Sequence, residues 1–226
     1  MRSRDLVIGA ACLVFGAGGG FFLANSLNRN QPANSDQVIA LSPAGNSERV
    51  QLDGPQPDVS STLAAAESDP KNFAAQMKAG DMYARISRFE QAVEFYKRGV
   101  LINPSNFEAN VVLANALFDS QQFDEAAGYY RKALEIKPDE PDVRTDLAAS
   151  LVEKTSPDYA AAISELEKVR RGNPTHAASL YYLGIANLRK GDREKAATIL
   201  EDLKRLAPTS PLVGKLQENI AAAATR

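Results

Sequence analysis

Tryptophan is absent from the 226 residues, and cysteine and histidine occur once each, as Cys12 and His176. A single cysteine forms no internal disulfide, and one cysteine with one histidine builds no Cys/His zinc site. Any Ser-His-Asp or Cys-His catalytic pair would have to run through His176. An excess of basic charge is missing too: 26 Lys and Arg stand against 28 Asp and Glu, which leaves no electrostatic footprint for nucleic acid. The one glycine-rich stretch, residues 16–20, lies inside an apolar run and is not a phosphate-cradling loop. The expectation is a protein that is not an enzyme and uses no cofactor and no metal. What the chain has in plenty is alanine, 36 residues, which suits closely packed helices.

Residues 6–24, LVIGAACLVFGAGGGFFLA, carry no charged side chain. As a helix this run would span roughly 28 Å, near the thickness of a hydrocarbon core. Arg2 and Arg4 precede it and Arg29 follows. The positive-inside bias then places the N-terminus in the cytoplasm and the rest of the chain outside it, as a single-pass membrane protein. A cleaved signal peptide, with Ala24 and Ser26 as small residues, is the rival reading; the length of the run favours an uncleaved anchor over residues 1–27. Cys12, Gly16, Gly20 and Ala24 recur four apart, a small-residue stripe through which two such helices would pack and form a homo-oligomer. Residues 28–59 are rich in Asn, Gln, Ser, Pro and Asp without apolar periodicity, and read as a flexible linker. Ser60 or Ser61 is placed to cap a short helix ahead of the main domain, 60–226.

The main domain repeats. Prolines stand at 104, 138, 174 and 208, separated by 34, 36 and 34 residues. In register with them fall small residues (Gly80, Ala114, Ala148, Gly184), alanines (Ala92, Ala126, Ala162, Ala196), large residues (Tyr96, Tyr130, Leu166, Leu200) and aliphatics (Val100, Leu134, Val169, Leu203). Each unit reads as two helices whose small residues, Gly80 against Ala92 for example, permit close approach. Ser105 with Glu108 reads as a capping box, Asp139 as a cap ahead of Pro141, and Gly191-Asp192 as a helix stop followed by a start. The surplus in the third unit falls at Lys154-Thr155-Ser156-Pro157. His176 reads as an exposed turn residue.

The stretches AGDMYARISRFEQAVEFYKRGVLINP, LANALFDSQQFDEAAGYYRKALEIKP and LGIANLRKGDREKAATILEDLKRLAP resemble units of the tetratricopeptide repeat (TPR) family. The resemblance implies an all-α, right-handed superhelix of four helix-turn-helix repeats, about 73–106, 107–140, 141–176 and 177–210, closed by a capping helix over 211–226. It further implies a concave groove lined by the first helix of each repeat. The groove positions here are Met77, Asp81, Arg85, Glu108, Val111, Asn115, Phe118, Asp119, Asp142, Thr145, Val152, Tyr181, Ile185 and Leu188. That lining is acidic over three repeats and apolar toward the fourth, which favours a protein or peptide segment carrying Lys or Arg and then aliphatic or aromatic anchors. The TPR subclass that clamps a chaperone's C-terminal carboxylate uses Lys, Asn and Arg, whereas the matching positions here hold Met77, Asp81, Val112, Asp142 and Asp146. Three of these would repel a carboxylate.

The expected function is a membrane-anchored TPR scaffold that binds a protein partner through the groove, outside the cytoplasm. Two alternatives stay open. One is a self-assembling subunit of a membrane complex; the other is an apoprotein-presenting factor similar to the TPR proteins of cytochrome c maturation.

Overall fold

The computed structural model describes residues 59–225, which fall in one compact unit, Asp36–Arg226. Ten α-helices and no strands occur among the described residues. In chain order they are α1 Val59–Ser68, α2 Phe73–Arg85, α3 Phe89–Ile102, α4 Phe107–Asp119 and α5 Phe123–Ile136. They continue as α6 Pro141–Glu153, α7 Tyr159–Gly172, α8 Ala177–Lys190, α9 Arg193–Leu206 and α10 Leu212–Ala224. Each helix packs on the next, and α8 also packs on both α6 and α10. The result is a solenoid of helix pairs, in which each pair buries its apolar face against its neighbours.

The registered residues form the core. Ala92, Ala126, Ala162 and Ala196 are all fully buried, as are Tyr130, Leu166 and Leu203. Removing a large aliphatic side chain of this kind from water contributes about 1.5–3 kcal/mol, so the repeated positions dominate the stability. Glycines mark where helices cannot afford a side chain. A Cβ on Gly80 would stand 2.5 Å from the Tyr96 ring, and one on Gly184 2.6 Å from a methyl of Leu216. The close approach at Gly80 is therefore made by the ring of Tyr96, one helical turn beyond the expected Ala92.

Turn chemistry differs from the expectation in two places. The cap of α4 is Asn106, whose side chain accepts from the Ala109 N–H at 2.8 Å, while the Ser105 hydroxyl turns to Asn103. The cap position of α6 is Glu140, with Pro141 opening the helix and no side-chain cap bond, so Asp139 lies one residue too early. Gly191 does end α8 in a left-handed conformation, with φ of 98°, and Asp192 caps α9 through the Lys195 N–H. Ser87 and Gln121 take the same left-handed turn at φ of 58° and 62°. The third repeat replaces that turn by a longer one, in which Lys154 is extended and the Asp158 N–H closes back on the Leu151 carbonyl at 2.9 Å.

The helix α1 is docked by a buried side chain. Gln76 is fully buried and donates to the Ala66 carbonyl at 2.6 Å, satisfying one of the carbonyls left open at the end of α1. Leu63 and Ala66 complete the joint against Ala79 and Phe95.

The expected single-pass membrane placement is corrected. No helix among the described residues is long and apolar enough to cross a membrane. The longest have 14 residues, about 21 Å at 1.5 Å per residue, and they carry charged faces. The apolar run over 6–24, with Cys12, Gly16, Gly20 and Ala24, lies outside the described residues, as does 28–58 of the expected linker.

Candidate partner-binding groove

The first helices of the repeats, α2, α4, α6 and α8, present side chains of three kinds. Asp81, Arg85 and Glu108 are exposed; Met77, Val111, Asn115, Asp119, Asp142, Tyr181 and Leu188 are half-buried. Phe118, Thr145, Val152 and Ile185 are buried, at 6% exposure or less. For these four the expectation of an open groove lining is corrected, because they fill contacts inside the solenoid. The Thr145 hydroxyl bonds the Pro141 carbonyl at 2.8 Å, and Phe118 packs edge-on to Phe123 with centroids 5.0 Å apart. Val152 and Ile185 lie on α6 and α8, which stack on each other. Met77 is partly spent in packing as well, since its sulfur occupies the space left open by Gly99.

Two polar residues of the first helices are fixed from behind. The Tyr96 hydroxyl donates to Asp81 Oδ1 at 2.6 Å, and the Tyr130 hydroxyl donates to Asn115 Oδ1 at 2.7 Å. The third and fourth repeats carry Leu166 and Leu200 at the tyrosine position, so the device belongs to the first two repeats.

Farther along, Asp146 lies within the field of two other carboxyl groups. Asp119 ends α4, and Asp142 and Asp146 sit one turn apart on α6. Burial, reinforced by the charges of Asp142 and then Asp119, pushes the Asp146 carboxyl up to about 8. The Tyr130 and Tyr182 hydroxyls are raised in turn, first by burial and next by the field of Asp146. Tyr130 spends its proton on Asn115. Tyr182 is 5% exposed, and its ring packs edge-on to that of Tyr181 with centroids 5.2 Å apart.

Asp142 is held from the next repeat by His176, whose Nε2 lies 2.8 Å from Asp142 Oδ1. His176 Nδ1 accepts from the Ser179 N–H at 3.2 Å as the cap of α8. With Nδ1 accepting, the proton sits on Nε2 and a neutral ring donates to Asp142. His176 is thus a half-buried cap and bridge rather than the exposed turn residue expected. On the far side, Arg189 pairs with Glu153 at 2.9 Å. A separate cleft of about 530 Å³ lies among Pro138, Pro141, Arg144 and Lys168, but both of its cations are tied to Glu165.

The expected groove list includes Asp142 and Tyr181 but omits Asp146, Tyr182 and His176. A usable signal exists for two of them. Asp146 and Tyr182 are 36 residues apart, the length of the third unit, and so share one repeat position on stacked helices. His176 falls at the first-helix cap register shared by Asn72, Asn106 and Glu140, but nothing in that register marks its bond to Asp142.

Helix pairs in a 34-residue register, each using small residues for close approach, define an α-solenoid built of helical-hairpin repeats. The tetratricopeptide repeat family models match residues 61–104, 87–145 and 156–220, more than half of the sequence, and the chain belongs to that family. No curated protein matches it. Among solved structures, a crystal structure of MamA protein aligns with a TM-score of 0.60 at 21% identity, over 66% of this chain and 80% of that one. MamA 41-end from Desulfovibrio magneticus RS-1 aligns at 0.61 and 16% identity, covering 68% and 85%. MamA MSR-1 aligns at 0.55 and 18% identity, covering 66% and 91%. At such identities the likeness is one of fold.

Proposed function

We propose that the chain is a TPR adaptor that captures a segment of a protein partner along its first helices, by binding and not by catalysis. The observation that carries this reading is the residual accessibility of α2, α4, α6 and α8. Asp81, Glu108, Val111, Asp142, Tyr181 and Leu188 keep accessible surface although their helices are packed into the stack. Acidic residues dominate the earlier repeats and Tyr181 and Leu188 the last, so the favoured segment is basic at one end and apolar at the other.

Site-specific photo-crosslinking tests the reading. A benzophenone side chain at Val111 and at Tyr181 is expected to trap the same protein, and Val111→Glu is expected to abolish the second crosslink without altering the helical circular-dichroism melt. Trapping of unrelated proteins at the two positions, or indifference to Val111→Glu, overturns it.

A further inference from the structure

The helix register runs one element past the four repeats at each end. Pro70 stands 34 residues before Pro104, and α1 ends two residues ahead of it. The helices α3, α5, α7 and α9 end two residues ahead of Pro104, Pro138, Pro174 and Pro208 in the same way. α1 therefore has the place of a second helix, and no first helix precedes it among the described residues. At the other end α10 opens four residues after Pro208, where α2, α4, α6 and α8 open three residues after their prolines. α10 has the place of a first helix, and no second helix follows it among the described residues.

The faces left open are those that the complete pairs close. Gly99, five residues before its proline, is buried, and the sulfur of Met77 on the paired first helix fills the space in front of it. The same position in α1 is Ala65, which is exposed. Ser61 is exposed at the position where Phe95 stacks on Tyr83 of its own first helix. Val59 is 59% exposed, against 5% for its counterpart Val93. Only Thr62 and Ala66 of α1 are buried. On α10 the mirror image holds. Gln217 and Glu218 are exposed at the positions of Ala79 and Gly80, which are buried in α2 as their counterparts are in α4, α6 and α8. Ala221 is exposed at the position of Tyr83.

The stretch 39–51, one period before α2, is a poor candidate to complete α1. It carries Pro43 in its interior, where proline costs about 3 kcal/mol, and Gly45 and Arg49 where α4 and α6 bury leucines. α10 of a second copy fits better, because the sizes at the joint match. Inside the stack a small residue on the first helix, such as Gly80, faces a large one on the second, such as Tyr96. In α1 the large position is held by Thr62, which removes the need for glycine or alanine opposite, and α10 has Glu218 there. Glu218 would also bring a negative charge to the first turn of α1, where the helix dipole favours it.

We propose that two copies of this chain join end to end, with α10 of one supplying the missing first helix of α1 in the next. Val59, Ser61 and Ala65 then meet Gln217, Glu218 and Ala221, in the packing that α2 and α3 already make within the chain. The contact is heterologous, so it repeats from copy to copy and forms open chains or rings instead of closing as a two-fold dimer. A helix of 10 residues against one of 13 is a small interface, and the association is reversible and weak. The joint is independent of the adaptor reading, and it carries the first-helix side on from one copy to the next.

Sedimentation velocity of the full chain tests the proposal. Species beyond the dimer are expected to grow with concentration. Ala65→Glu and Ala221→Glu each place a charge on an exposed helix position, and each is expected to keep the thermal melt while weakening association about a hundredfold, as an unpaired buried charge does. An equimolar mixture of the two variants still has one intact α10 and one intact α1, and is expected to give a complex of two copies and nothing larger. In a Cys12→Ser background, a short bis-maleimide is expected to link Ser61→Cys to Ala221→Cys, and to link neither variant to itself. A mass that stays monomeric at every concentration, association that survives both charge variants, or linkage of either cysteine variant to itself overturns the proposal. A partner trapped at Val111 and Tyr181 by a chain that stays monomeric keeps the adaptor reading and removes the joint, and end-to-end growth without a trapped partner does the reverse.

Discussion

Tyr130 and Asn115 are joined by a 2.7 Å hydrogen bond between a fully buried phenol and a half-buried amide. The same relationship joins Tyr96 to Asp81 one repeat earlier, at 2.6 Å. In these two repeats the tyrosine serves the core with its ring and fixes a first-helix side chain with its hydroxyl. Tyr130→Phe keeps the ring and leaves the Asn115 oxygen without this donor. A loss of about 0.5–1.5 kcal/mol, the usual net worth of such a bond, is expected in urea denaturation. A loss above about 3 kcal/mol would mean that the ring packing had changed as well.

Gly184 has a leucine methyl where its side chain would stand. Gly184→Ala is expected to push Leu216 aside and loosen α10, costing about 1–3 kcal/mol as overpacking does. Hydrogen exchange resolves the effect, with amides of α10 opening faster while those of α4 and α5 keep their protection. A uniform increase across the chain would contradict the capping role given to α10.

The left-handed turns give a pair of opposite outcomes. Gly191→Ala places a Cβ at φ of 98° and is expected to lower stability by about 1 kcal/mol. Gln121→Gly relieves the same strain at φ of 62° and is expected to raise stability by about 0.5–1 kcal/mol. Thermal melts of the two variants should shift in opposite directions.

Asp146 makes stability depend on pH in an unusual direction. Its carboxyl is raised to about 8 in the folded chain, whereas an unfolded aspartate titrates near 3.9. Between these values the folded state holds the extra proton, so this group's contribution is fully present below about pH 4 and is lost as pH rises to about 8. Asp146→Asn removes the titration. It is expected to change the melting temperature little at pH 4, and to raise it progressively up to pH 8 and level off beyond. A constant offset across that range would show that Asp146 does not titrate in this window.

Glu165 runs the other way. Burial opposes its ionisation, but the hydrogen bonds from Lys168 and Arg144 outweigh that and hold its carboxyl below the usual range. Its contribution is present above the unfolded value near 4.3 and is lost as pH falls through the folded value. Glu165→Gln leaves the part-buried Arg144 guanidinium without its anion and is expected to cost about 1.5–3 kcal/mol at pH 7. That difference should shrink in melts recorded at successively lower pH, as the folded carboxyl takes up its proton.

The solenoid was legible because its cause is periodic. Alanine at 92, 126, 162 and 196 and proline at 104, 138, 174 and 208 report one constraint each, close helix contact and helix termination. That physics depends only on residue type and spacing. The cap of α4 lies one residue beyond the expected Ser105, since Ser105 and Asn106 both suit the role and only the backbone path chooses between them. Thr145, Val152 and Ile185 belong to the groove by family position, yet they are buried on helices α6 and α8, which pack on each other.

The amino-acid sequence by itself determined the class of protein, the helix pairs and their register, because burial of a repeating apolar face admits few other solutions. Tertiary structure decided which first-helix residues stay accessible and which carboxyl is buried within the field of others. His176 and Asp142 are 34 residues apart, as are many pairs in this chain that never touch. Their hydrogen bond, and the placing of Asp146 beside Tyr182, follow from how one repeat is set against the next. That setting is fixed by side-chain packing summed over whole helix faces, which no short stretch of sequence encodes.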